Sequence, residues 1–133
     1  MAKKYFTVES AQSQLPKIKK SLARLQNLKK AIYSILSVRI DPDEIGYEES
    51  LEMNTKLSKE YHKLSYDFYS ELEKFGNRGC LLKDLDQGLV DFYCKFEGRD
   101  IFLCWRLGES RIDAWHEIDE GFAGRRPLMD IER

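Results

Sequence analysis

The sequence predicts an α+β fold: a long antiparallel helical hairpin with a short kinked lead-in helix, then a three- to four-stranded antiparallel β-meander and a C-terminal loop. Two helical seams and one stretch of alternation carry this prediction. Apolar residues recur at steps of three and four through Leu15, Ile18, Leu22, Leu25, Ile32 and Leu36, with one skip at Lys29, and again through Leu57, Tyr61, Leu64, Phe68, Leu72 and Phe75. That spacing marks one face of a helix. Between Gly88 and Gly124 the period changes to two, as in strands with one buried face.

The first helix opens at Val8, with Thr7 placed to cap its free N–H groups and Glu9 in the first turn, where the helix dipole favours an acid. Pro16 removes a backbone hydrogen bond, so a kink or break is expected near Gln14. The long helix then ends near Val38. Residues 40–46, with Pro42 and Gly46, reverse the chain. A second helix follows from about Glu48 to Phe75, and Gly76-Asn77 supplies a left-handed stop. Both seams are close to heptad spacing, so helices this long suit a bundle of two hairpins.

The strands follow from turn chemistry. A two-residue loop at Gly98-Arg99 pairs Phe96 with Ile101, Cys94 with Leu103, Phe92 with Trp105 and Val90 with Leu107 on a core face. The opposite face then pairs Tyr93 with Cys104 and Asp91 with Arg106. A second loop at Glu109-Ser110 sets Arg106 opposite Asp113 and Cys104 opposite Trp115. An earlier strand at residues 80–83 puts Cys80 and Leu82 on the core face. Tyr93, Phe102 and Trp115 share the second face, which needs a cover: the C-terminal loop with Phe122, Leu128 and Met129, or a second subunit.

The chain thus reads as a single domain over 1–133, with the hairpin at 5–75, the meander at 79–116 and a wrapping loop at 117–133. The 42% hydrophobic content and 16 aromatic rings, set against 34% charged residues, argue for a packed core rather than disorder. Three cysteines without a CxxC pair, and an N-terminus lacking the apolar run of a secretory signal, point to a reducing cytoplasm. No apolar run is long enough to cross a bilayer. The net charge of −1 hides a segregation: residues 1–40 carry +8, residues 41–75 carry −6 and the remainder −3. A basic first helix beside an acidic second one accounts for this, and nucleic-acid binding ranks last because the tail is acidic.

No nucleophile elbow, HExxH, Walker loop or dinucleotide fingerprint occurs. The candidate sites are therefore constellations. Cys94 and Cys104 are expected on opposite faces, where they cannot share a tetrahedral ion, and all three thiols are expected to pack as small apolar groups. His116, Glu117 and Glu120 gather an imidazole and carboxylates suited to a divalent metal or to proton transfer; the bland alternative is a strand end and an arginine-paired loop. Asp91, Arg106 and Asp113, with Glu109 and Arg125 nearby, form either a ladder that fixes register or a charged floor for a polar ligand.

The run from Tyr5 to Ala11 with Leu15-Pro16, the segments Gly88 to Phe92 and Leu103 to Glu109, and the tail motifs Trp115-His116-Glu117 and Gly121 to Leu128 resemble a prokaryotic family catalogued as domain of unknown function 2203. The resemblance spans nearly the whole chain, while Tyr93-Cys94 and residues 41–50 depart from the family's usual wording. It implies a small cytoplasmic bacterial or archaeal protein with no activity, substrate or cofactor to carry over. It directs attention to Asp91, Cys104, Trp105, Arg106, Glu109, His116, Glu117 and Arg125.

Two functional readings from different classes result. The first is an oligomeric scaffold or interaction protein, a dimer or higher assembly joined through its helix seams. The alternative is a small-ligand- or metal-binding domain, an enzyme among its variants, with a polar site around Arg106 and His116.

Overall fold

A computed structural model describes residues 3–131. The protein is α+β: helices over residues 8–77 precede an antiparallel sheet. Helix α1 spans Val8–Leu36, a short α2 spans Pro42–Ile45 and α3 spans Tyr47–Asn77. Thr7 caps α1 reciprocally: its Oγ1 accepts from the Ser10 N–H at 3.0 Å, and its own N–H donates to Ser10 Oγ at 2.9 Å. The expected break at Pro16 does not occur, and α1 runs through it. Pro16 lies on the exposed side, where water can bond the carbonyl that its missing N–H leaves free. The expected stop at Gly76 is also displaced. The helix continues to Asn77, and the left-handed residue behind it is Gly79, φ 91°.

Five strands follow: β1 Leu81–Asp84, β2 Leu89–Phe96, β3 Arg99–Arg106, β4 Ala114–Glu117 and β5 Arg126–Pro127, hydrogen-bonded in that order. The sequence predicts three or four. The fifth comes from the tail expected to be loop, which returns to pair with β4. Short 3-10 turns at Phe122–Gly124 and Leu128–Asp130 flank it.

The register differs from the predicted one in two instructive ways. The β2–β3 turn is Glu97-Gly98, not Gly98-Arg99, and both residues have positive φ (49° and 76°), the backbone of a turn that matches strand twist. Partners shift by two: Phe92 faces Leu103, Asp91 faces Cys104, and Arg106 lies opposite Leu89. A shift of two keeps each side chain on its predicted face. Between β3 and β4 the slip is one, so Cys104 pairs with Ala114, Phe102 with His116 and Leu103 with Trp115. A slip of one exchanges faces. Trp115 therefore sits in the core and not beside Tyr93 and Phe102, while His116 takes the second face.

The loop between β3 and β4 sets this slip. Glu109 Oε1 accepts from the Arg106 N–H at 2.7 Å, the Trp105 indole N–H donates to the Glu109 carbonyl at 3.0 Å, and buried Ile112 donates its N–H to Gln12 of α1 at 2.8 Å. The core lies between α1 and one sheet face: Leu15, Ile18, Leu22 and Leu25 pack on Val90, Phe92, Ile101, Leu103 and Trp105, with Phe75 of α3 and Leu128 of the tail closing it. No helix of the described residues is long and apolar enough to cross a membrane.

Candidate functional site

The second sheet face carries the polar side chains. Asp91 on β2, Cys104 on β3 and His116 on β4 lie on three adjacent strands and point the same way, because 91 pairs with 104 and 104 pairs with 114. All three are buried, at 3%, 2% and 2% exposure. The tail covers them: Glu120, Gly121 and Phe122, with Lys83 and Leu89 from the sheet, complete a cavity of about 130 Å³. That is room for a few water molecules at roughly 30 Å³ each. Phe122, one of the expected covers, does this; Leu128 is buried in the core and Met129 is exposed.

The hydrogen bonds of His116 decide its chemistry. Nδ1 lies 2.8 Å from the Glu117 carbonyl oxygen, which can only accept, so Nδ1 carries a proton and donates it. Nε2 lies 3.2 Å from both Asp91 carboxylate oxygens. A neutral ring with its proton on Nδ1 would aim a lone pair at that carboxylate. Either a second proton or a cation must stand between them. Burial pushes the His116 pKa down, but the Asp91 hydrogen bond, the Glu117 carbonyl and the Asp91 charge outweigh it and hold the pKa above its usual 6.5. At Cys104, burial first and then the Asp91 charge push the thiol up to about 12, with Arg125 opposing.

A metal ion is the other cation whose charge would fit between them. The ligand atoms of Asp91, Cys104 and His116 all lie within 4.8 Å of one another. In a tetrahedral site with metal–nitrogen and metal–oxygen distances near 2.1 Å, donors sit about 3.4 Å apart, close to the 3.2 Å of the Asp91–His116 pair. The Glu117 carbonyl on Nδ1 is the usual outer partner that turns Nε2 toward a metal. One nitrogen, one oxygen and one sulfur donor form a set suited to zinc and related ions.

The other sequence-predicted residues go elsewhere. The Asp91–Arg106–Asp113 ladder does not form: Arg106 is exposed with its guanidinium 5.6 Å from the Phe122 ring centre, and Asp113 is exposed, 3.9 Å from Arg125. Arg125 bonds both oxygens of Glu109 at 2.9 and 2.8 Å and reaches the Cys104 carbonyl at 3.4 Å, so this pair pins the tail behind the site. The Glu117 carboxylate does not join the His116 ring. It faces the other side of β4 and takes Arg99 at 2.8 and 2.9 Å and Arg126 at 3.3 Å, which hold its pKa below the usual carboxylate value. Glu120 lines the cavity while bonding Arg126 at 3.2 Å.

The residue that sequence reasoning passed over as a donor is Cys104, weighed only against Cys94. Those two do face opposite sides. The signal that could have found it is its pairing with Asp91.

The sequence matches, over residues 4–128, the model of a family described as "Uncharacterized conserved protein (DUF2203)". No curated protein matches, and no solved structure matches.

Proposed function

This chain belongs to the DUF2203 family, and from that premise we propose that it is a metal-binding domain holding a zinc-class divalent ion on Asp91, Cys104 and His116. One observation carries this: three buried donors converge at a histidine whose other nitrogen is already committed, leaving a lone pair and a carboxylate that need a proton or a metal ion between them. The ion would keep one position toward the cavity beside Glu120 and Lys83. When bound there, zinc lowers the pKa of a coordinated water toward neutrality and polarises an oxygen of an incoming ligand. The protein's own part is to orient the donors, through Glu117 on Nδ1 and the Arg125–Glu109 pair behind Cys104, and to admit only molecules of a few atoms. A scaffold role for the helices rests on other residues and is independent of this site.

The test is titration of metal-free protein with Co²⁺ and Zn²⁺. Cobalt on this donor set should give visible tetrahedral bands and a sulfur-to-cobalt charge-transfer band. Cys104→Ser should abolish the charge-transfer band, and His116→Gln should weaken binding of both ions. Saturation of the Cys104→Ser/His116→Gln double variant with wild-type affinity would overturn the proposal.

A further inference from the structure

The cavity beside Asp91, Cys104 and His116 is uneven in charge. Glu120, which lines it, is already neutralised: its carboxylate bonds Arg126 at 3.2 Å and accepts the Glu117 N–H at 3.1 Å. Lys83, on the same lining, is not. It forms no ion pair among the described residues; its ammonium stands 4.7 Å from the centre of the Phe102 ring, and that ring lies 5.5 Å from the ring of His116. Arg106 is likewise without an ion pair among the described residues, 5.6 Å from the ring of Phe122, the cavity's cover.

Charge and size together define what can enter. A zinc-class ion held by one carboxylate, one thiolate and one neutral imidazole has its two charges cancelled. Lys83 then leaves the cavity with one positive charge in excess. The volume of about 130 Å³, at roughly 30 Å³ per water, admits about four non-hydrogen atoms. Leu89 and Phe122 wall it with apolar surface, and Asp91, Cys104 and His116 all line it, so a molecule held there lies against the donors.

We propose that the metal site takes a small monoanion with oxygen donors, of the class of bicarbonate, formate and acetate, one oxygen turned to the ion and another to the Lys83 ammonium. The proposal rests on the metal-binding reading above and adds the ligand to it. Lys83 sets the charge that is accepted, as a compact cation with three donors. Neutral molecules of the same shape lack the attraction to it, and longer carboxylates meet Leu89 and Phe122.

Visible spectroscopy of the cobalt-loaded full chain tests this. Formate, acetate and bicarbonate should each shift the tetrahedral bands saturably at neutral pH. Acetamide, the neutral isostere of acetate, and benzoate, too large for the cavity, should leave them unchanged. Lys83→Met should load cobalt as wild type does and bind formate about fivefold more weakly, the effect of one partly screened charge pair; Lys83→Arg should recover most of the loss. Cobalt bands that form but ignore all three anions would overturn the proposal and leave the metal site standing, whereas absence of the bands would overturn both. Acetamide binding as tightly as acetate, benzoate binding as tightly as formate, or a Lys83→Met protein with wild-type formate affinity would also overturn the proposal.

Discussion

His116 Nε2 stands 3.2 Å from both carboxylate oxygens of Asp91, a residue twenty-five positions earlier in the chain, and both side chains are buried. In the metal-free protein this is a buried imidazolium–carboxylate pair. Removing one member strands the other charge, at a cost of about 3 to 5 kcal/mol. His116→Ala should therefore lower the unfolding free energy of the metal-free protein, read from urea denaturation, by that amount. Asp91→Ala added to His116→Ala should cost clearly less than the sum of the two single changes, with a coupling of about 1 kcal/mol or more. Additive effects would mean that the pair carries no energy of its own.

The same raised pKa values make metal binding a proton-releasing event. His116 is held above 6.5 and Cys104 at about 12 without metal, while a metal requires the Nε2 lone pair and the thiolate. Zinc affinity should fall as pH drops. Calorimetry at pH 7 in two buffers of different ionisation enthalpy should count more than one proton released per ion. Cys104→Ser should reduce that count by about one, the thiol proton; an unchanged count would remove Cys104 from the ligand set.

Much of this was legible before the structure. The helix seams and the two faces of β2 and β3 follow from period alone, and a turn misplaced by one residue leaves those faces intact because both partners shift together. Asp91 and His116 were visible as chemistry. Their meeting was not, since it depends on the number of residues in the loop after Arg106. That loop is measured by Glu109 capping the Arg106 N–H and by Ile112 anchoring to Gln12, a residue one hundred positions away. No local pattern encodes that contact, and a slip of one there trades Trp115 for His116. Pro16 misled for a related reason: the penalty of a helical proline depends on whether it faces water, which period alone does not weigh.

The Glu97-Gly98 turn offers a direct check on register. Glu97 holds φ at 49°, where a side chain with a Cβ is strained and asparagine is tolerated. Glu97→Asn should raise stability by about 0.5 kcal/mol, and Gly98→Ala should lower it by about 1 kcal/mol, both read from chemical denaturation. Were the turn at Gly98-Arg99, Glu97 would be extended and asparagine there would destabilise.

Asp100 ties the start of the chain to this same β2–β3 hairpin. Its carboxylate takes Lys95, its cross-strand neighbour, at 2.7 Å, and Lys3 and the Tyr5 hydroxyl at 3.1 Å each. Beside it, Phe6 donates its N–H to the Tyr93 carbonyl at 2.7 Å. The Lys95 hydrogen bond foremost, then those of Lys3 and Tyr5, hold the Asp100 pKa at about 2 against 3.8 for the free side chain. The folded state thus binds this proton less readily than the unfolded state does. The stability it contributes is present above pH 3.8 and is lost as pH falls toward 2. Asp100→Asn should melt below wild type at pH 6, and the gap should close as pH drops through that window. Thermal unfolding by circular dichroism across the range reads it directly. A gap that stays constant down to pH 2 would show that the three partners do not hold the carboxylate charged.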